Sequence, residues 1–186
     1  MMLLWYVSRA TGVAALVLFT AVLVLGVLLS GQRKLTPTGQ AVAMGVHRSL
    51  SLGSMIFLVV HIISAVLDTY VHVGWLATVL PFTSGYESAW MTLGTLSFDA
   101  LIAVIATSLL RDRIRRSTWR WVHLASYLSW PVAVLHSYAL GTADEPILRG
   151  CTLGCAVIGI GAIGWRMVAT HPDAERRRLN RPKELA

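Results

Sequence analysis

The 186-residue chain is 55% hydrophobic and only 13% charged, with a formal net charge of +7. Soluble domains carry roughly 25% charged residues, so this composition excludes an ordinary soluble domain and predicts an integral membrane protein. The basic residues cluster beside apolar stretches, which favours contact with anionic lipid at a cytoplasmic surface. The positive charge does not indicate nucleic-acid binding, because the sequence has no nucleic-acid-binding motif and no interleaving of aromatic with basic residues.

Five apolar segments follow one another, and each is close to the roughly 20 residues that a membrane-crossing helix needs. They predict helices at about residues 4–30, 45–68, 92–110, 120–140 and 148–169. The sequence therefore predicts an all-α, integral membrane bundle of five transmembrane helices over residues 1–170. A basic, disordered cytoplasmic tail is predicted over residues 171–186. A shorter apolar stretch at residues 75–80, followed by Pro81, is expected to lie at the membrane interface.

The distribution of arginine and lysine predicts the orientation of the bundle. The loop at 31–46 carries two such residues, the loop at 111–119 carries four, and the chain from Arg166 onward carries six. The loop at 69–91 carries none, and the loop at 141–149 carries only Arg149. The positive-inside rule then places the N-terminus outside and the C-terminus inside a multi-pass plasma-membrane protein.

Four histidines lie inside two of the apolar segments, His47 and His61 in the second and His123 and His136 in the fourth. An ionisable group inside a membrane segment is costly and indicates a functional site. The members of each pair are 14 and 13 residues apart, which is roughly 20 Å along a helix. Because both helices are predicted to run outward, His47 and His123 come at the inner depth, and His61 and His136 at the outer depth.

Histidines at two matched depths predict two stacked cofactors. Haem is the candidate, because neutral imidazole is a standard axial ligand of its iron. Zinc is disfavoured, since it needs four ligands around one point and these are separated by roughly 20 Å. Thirteen residues miss the starting helix face by about 140°, so either Pro131 kinks or rewinds the fourth helix, or the two cofactors are rotated about the bundle axis.

Three arginines are candidates for contact with the carboxylates of these cofactors. Arg9 lies about one and a half turns into the first helix, where a guanidinium needs an anion. That anion is a propionate of the outer cofactor, Asp68 or Asp99, unless Arg9 extends to the outer headgroups instead. Arg48 and Arg120 flank the inner histidines and either neutralise inner propionates or are ordinary positive-inside flanking residues.

Other polar and small residues receive plainer interpretations. His72 and His171 are expected at the surface, with contact between His72 and an electron acceptor as the alternative. Cys151 and Cys155 are expected to be small packed residues, since their spacing is not that of a redox motif. Interfacial belts are predicted for Trp119, Trp121, Trp130 and Trp165. A small-residue face, chiefly for packing within the bundle, is predicted at Gly150, Gly154, Gly159, Gly161 and Gly164.

These residues resemble the ferric reductase-like transmembrane domain family. That family includes eukaryotic ferric reductases, NADPH oxidases and the haem-binding membrane subunit of the bacterial methionine sulfoxide reductase system. Its opening Arg-x-x-Gly segment is similar to Arg9-Ala10-Thr11-Gly12. Its first haem helix is similar to the segment with His47-Arg48, His61 and Asp68. Its second is similar to the segment with Trp119-Arg120, His123, Tyr127, His136 and Gly141-Thr142.

The resemblance implies two b-type haems, one ligated by His47 with His123 and the other by His61 with His136. It also implies that Arg9 lies beside the outer haem. The one GxGxxG match, at residues 159–164, lies inside the fifth apolar segment and does not follow a predicted strand, so no nucleotide loop is predicted. Ala65 stands where the oxidases have a further histidine. The chain is therefore expected to resemble the haem-only bacterial members and to have no NAD(P)H-dependent activity of its own.

The resulting hypothesis is a dihaem membrane cytochrome that passes single electrons from a separate flavoprotein or quinol to an outer acceptor, such as ferric iron or a partner reductase. Bis-histidine ligation fills both axial positions and favours electron transfer. The chain is then an oxidoreductase component without a flavin domain of its own. Two alternatives stay open: a non-redox anchor or assembly subunit, and a cytochrome b561-like quinol-linked reductase.

Overall fold

The computed structural model describes residues 2–31, 36–69, 71, 73–141 and 145–168. These residues form five α-helices, one 3-10 turn and no strand, which confirms the all-α prediction. The 3-10 turn, Trp75–Thr78, falls in the short apolar stretch between the second and third helices. The helices are α1 (Met2–Gly31), α2 (Pro37–Leu67), α3 (Ser88–Leu109), α4 (Arg116–Ala139) and α5 (Pro146–Val168).

The largest difference from the predicted boundaries is at the start of α2. This helix begins at Pro37 rather than near residue 45, because Thr36 caps it: the Gly39 N–H donates to Thr36 Oγ1 at 3.2 Å. A proline in the first turn costs the helix no hydrogen bond. α3 and α4 likewise begin before the predicted residues 92 and 120. Hydropathy marks the apolar part of a helix, and these three helices continue into polar sequence.

Among the described residues, four helices are long and apolar enough to cross a membrane: Leu3–Ser30, Pro37–Leu67, Ser88–Leu109 and Pro146–Val168. They make the chain a multi-pass membrane protein. α4 is 24 residues long but more polar, since it carries two histidines together with Arg116 and Arg120. The crossing of α4 and the orientation of the bundle therefore stay predictions. The predicted tail at 171–186, with His171, lies outside the described residues, and so does His72.

The core of the bundle lies between α1 and α4. α1 packs against α2, α4 and α5, while α3 packs against α4. Phe19 and Leu23 of α1 contact Trp130, which is only 2% exposed, and Trp130 Nε1 donates to Thr20 Oγ1 at 3.0 Å. The prediction that Trp130 belongs to an interfacial belt is therefore wrong. A buried indole needs an acceptor for its N–H, and Thr20 supplies one.

Gly159 of α5 allows this tryptophan to fit. A Cβ at Gly159 would lie 2.1 Å from Trp130 Cζ2, so no larger residue is accommodated without movement. The predicted role of the α5 glycines in packing within the bundle is confirmed at this position. Nothing lies within 4 Å of a Cβ added at Gly150, Gly154, Gly161 or Gly164.

The two histidine-bearing helices do not pack directly against each other. Almost no Cα atom of α2 approaches within 8 Å of a Cα atom of α4. Directly packed helices have axes only about 8–10 Å apart. A gap therefore separates α2 from α4; α1 packs against both of these helices, and α3 packs against α4.

Candidate functional site

The four histidines meet in pairs across the gap between α2 and α4. The ring centroids of His47 and His123 are 6.5 Å apart, with their planes at 48°. Those of His61 and His136 are 6.4 Å apart, with their planes at 81°. α4 continues through Pro131 without interruption, so the 13-residue spacing does not prevent both of its histidines from reaching their partners on α2.

Each pair offers two nitrogen ligands and no more. Among the described residues, no group of three or more His, Cys, Asp or Glu side chains converges on a point. A structural zinc site needs four ligands from the protein. The arrangement therefore suits a metal whose remaining ligands come from a cofactor.

The outer histidines are held by hydrogen bonds to backbone carbonyls of neighbouring helices. His61 Nδ1 lies 2.7 Å from the Ser8 carbonyl oxygen on α1. His136 Nδ1 lies 2.9 Å from the Trp90 carbonyl oxygen on α3. A carbonyl only accepts, so both Nδ1 atoms donate and each neutral ring keeps the lone pair on Nε2. Metal-ligating histidines are typically fixed in this way.

A glycine one turn further along makes room for each of these rings. A Cβ at Gly12, four residues after Ser8, would lie 2.8 Å from His61 Nδ1. A Cβ at Gly94, four residues after Trp90, would lie 2.6 Å from His136 Cε1. Residues four apart share a helix face. Each outer ring thus contacts a backbone carbonyl and the glycine that follows it four residues later on the same helix.

The inner histidines are held differently. His47 lies beside the Val22 backbone and Gly26, where an added Cβ would be 3.5 Å from His47 Cε1. His123 instead stacks on Trp119, with centroids 5.0 Å apart and planes at 24°. The Nδ1 atoms of His47 and His123 are buried and make no hydrogen bond. Their side chains are therefore less constrained than those of the outer pair.

A cavity of about 800 Å³ lies at the outer pair, lined by His61, His136 and mainly apolar side chains. This volume is in the range of small-molecule and cofactor sites, roughly 300–1,000 Å³. Arg9 also lines it, donates from Nη1 to the Leu140 carbonyl, and lies 5.1 Å from the centre of the Trp5 ring. Within the described part of the chain Arg9 forms no ion pair, so neither candidate aspartate, Asp68 nor Asp99, is its partner.

Arg149 is a second cation at this cavity, and the sequence reasoning did not select it. It donates to the Tyr138 hydroxyl at 2.8 Å and lies 4.7 Å from the centre of that ring. Glu145 lines the same cavity. In the sequence, Arg149 is distinguished only as the single basic residue of the loop at 141–149, which is predicted to lie outside. Arg48 and Arg120, the candidates at the inner pair, are exposed.

A protein family described as ferric reductase like transmembrane component matches residues 11–134, about two thirds of the chain. The chain belongs to this family. Membership indicates a membrane redox component. The match contains three of the four histidines and ends two residues before His136, so the place of His136 opposite His61 is known from the geometry. In comparisons with curated proteins and with solved structures, no match was found.

Proposed function

We propose that the protein is a dihaem b-type cytochrome that carries single electrons across the plasma membrane. The observation that supports this most directly is the distance between the paired rings. Two imidazoles on opposite sides of one metal ion, with metal–nitrogen bonds of about 2.0–2.1 Å, have ring centroids roughly 6–6.5 Å apart. The two pairs have separations of 6.5 and 6.4 Å.

The surroundings of the outer pair also fit a haem. α2 and α4 leave a gap, the cavity there is apolar, and both Nε2 atoms carry the free lone pair. The inner pair contributes two buried Nδ1 atoms without a hydrogen bond, which is consistent with rings held partly by ligation at Nε2. The haem supplies a one-electron iron couple, and bis-histidine ligation favours electron transfer over ligand binding at the iron.

Charged side chains at both depths fit the propionates of such cofactors. At the outer cavity, Arg9 and Arg149 present guanidinium groups. At the inner end, Arg48 follows His47 directly and Arg120 precedes His123 by about one helical turn. Arg9 and Arg149 are half-buried, and a guanidinium group inside a membrane is stabilised by an anion. Arg48 and Arg120 are exposed, and their position beside the inner histidines is what supports their assignment. We assign Arg9 and Arg149 to the outer cofactor, and Arg48 and Arg120 to the inner one.

The direction of electron flow follows from the proposed orientation, with the N-terminus outside and the C-terminus inside. The loop between α3 and α4, together with the first residue of α4, exposes Arg111, Arg113, Arg115 and Arg116 on the proposed inner surface. A basic surface of this kind favours encounter with an acidic donor such as a flavoprotein, and a quinol in the bilayer is the other donor class. The acceptor at the outer face is ferric iron or a partner reductase.

The test is a reduced-minus-oxidised optical spectrum of the purified full chain, together with its haem content. We expect two haems per chain, low-spin in both oxidation states. A folded protein without haem, purified from cells supplied with haem, would refute the proposal of a cytochrome and favour the alternative of a non-redox anchor. Rapid haem reduction by quinol alone would favour the b561-like variant of the proposal.

A further inference from the structure

Three of the four histidines lie beside a similar local arrangement on a neighbouring helix, which we term a glycine dock: a residue whose backbone faces the ring, followed four residues later by a glycine. The fit is close at Gly12 and Gly94, where the ring also donates to a carbonyl, and looser at Gly26, where it does not. α1 carries two docks, and their glycines, Gly12 and Gly26, are 14 residues apart. α3 carries one at its outer end. The docks are Ser8 with Gly12 for His61, Val22 with Gly26 for His47, and Trp90 with Gly94 for His136.

A fourth dock is missing from α3. Fourteen residues after Gly94, on nearly the same face of the helix, the chain has Ser108 in place of a glycine. Trp119 occupies this position from α4: its Nε1 donates to Ser108 Oγ at 3.4 Å, and its ring stacks on His123. The Arg111 guanidinium also contacts this tryptophan and lies 5.3 Å from the centre of the Trp119 ring.

We propose that Trp119 is the positioning residue of His123, and that it replaces the absent glycine dock; this inference rests on the proposed function. Stacking fixes the plane of the imidazole, but it offers no acceptor to Nδ1, which is buried without a hydrogen bond. The orientation of the His123 ring therefore depends on one aromatic contact. Ser108 and Arg111 hold the tryptophan in place.

The competing explanation is that Trp119 is only an interfacial anchor, as tryptophans at membrane surfaces commonly are. The chain provides a matched control for this. Trp121 lies two residues away on the same helix and is 74% exposed. An anchoring role predicts similar effects at both tryptophans, whereas the positioning role predicts an effect at Trp119 alone.

The experiment compares the full-length holoprotein with Trp119→Leu, Trp119→Phe and Trp121→Leu. It measures haem per chain and the low-spin electron paramagnetic resonance signal of each haem, with the outer signal as the control for folding. We expect Trp119→Leu to change the inner signal and weaken inner haem binding about 10-fold or more, as loss of contacts that orient metal ligands does. Trp119→Phe retains an aromatic face and should retain most of the binding. Trp121→Leu should match the wild type.

A second pair of variants tests how the tryptophan is held. Ser108→Ala removes the acceptor for Trp119 Nε1 and should shift the inner signal in the same direction, though less. Thr107→Ala is its control, because the Thr107 hydroxyl donates only to carbonyls of its own helix. An unchanged inner signal in Trp119→Leu, equal effects at Trp121, or loss of both haems would each overturn the positioning role. A wild-type protein without haem would instead refute the proposed function itself.

Discussion

The His136 ring fills the space that the missing side chain of Gly94 leaves on α3, and a Cβ at Gly94 would lie 2.6 Å from His136 Cε1. The same ring donates from Nδ1 to Trp90, one turn earlier on α3. His61 has an equivalent relationship with Ser8 and Gly12 of α1. The helices that carry the outer histidines are thus aligned by two helices that carry none.

We expect Gly94→Ala and Gly12→Ala to displace the outer rings and to release the proposed outer haem, while the inner haem is retained. Alanine favours a helix over glycine by roughly 0.5–1 kcal/mol, so a loss would come from the added methyl group rather than from helix propensity. Gly45→Ala and Gly150→Ala are the controls, because nothing lies within 4 Å of a Cβ there. Haem content and difference spectra of the four variants measure the effect, and a full outer haem in Gly94→Ala would contradict it.

The histidine pairs predict a pattern of selective loss. His61→Ala or His136→Ala should remove the outer haem, and His47→Ala or His123→Ala should remove the inner one. The reason is that the two rings of each pair face each other across the gap between α2 and α4 and are proposed to bind the same haem. Midpoint titration of each purified variant should show one redox transition in place of two. Retention of both haems in all four variants would exclude bis-histidine ligation by these residues.

The sequence predicted the helices and the candidate histidines more completely than it predicted their supports. Four histidines in apolar segments are visible as a pattern, and loop charges indicate their relative depths. Gly94 contacts His136 on the next helix, and Arg149 contacts Tyr138 on the preceding helix. A pattern within one helix does not encode such contacts between helices. Trp130 was misassigned for a similar reason, since an aromatic residue in an apolar helix suits a membrane interface and a core equally well.

Arg9 and Arg149 provide a test through the potential of the outer haem. A nearby positive charge stabilises the reduced state, so Arg9→Leu should lower the outer midpoint potential and leave the inner one unchanged. For a one-electron couple a tenfold change in equilibrium is about 59 mV, and a decrease of tens of millivolts is expected. Arg149→Leu should act in the same direction. An unchanged outer midpoint potential in Arg9→Leu would show that this arginine extends to the lipid headgroups instead of contacting the outer haem.

The contact between Gly159 and Trp130 predicts a change in stability without a change in the haem sites. Gly159→Ala places a methyl group 2.1 Å from Trp130 Cζ2, and overpacking a core costs typically about 1–3 kcal/mol. We expect a lower midpoint of thermal unfolding in detergent, with normal haem spectra below the transition. Gly161→Ala, which has nothing within 4 Å of its added Cβ, should unfold like the wild type.

The basic loop between α3 and α4 distinguishes the two classes of electron donor. Its arginines are exposed, and electrostatic steering raises association rates by roughly 10–10³-fold at low ionic strength. Replacing Arg113, Arg115 and Arg116 with Gln should therefore slow haem reduction by an acidic flavoprotein and flatten the salt dependence of the rate. Stopped-flow reduction between low salt and about 0.15 M salt, where the Debye length falls to about 8 Å, measures both effects. A quinol approaches through the bilayer, so its rate in proteoliposomes should be the same for wild type and variant. Flavoprotein reduction that is equally fast in both proteins at every salt concentration would exclude this loop as the docking surface.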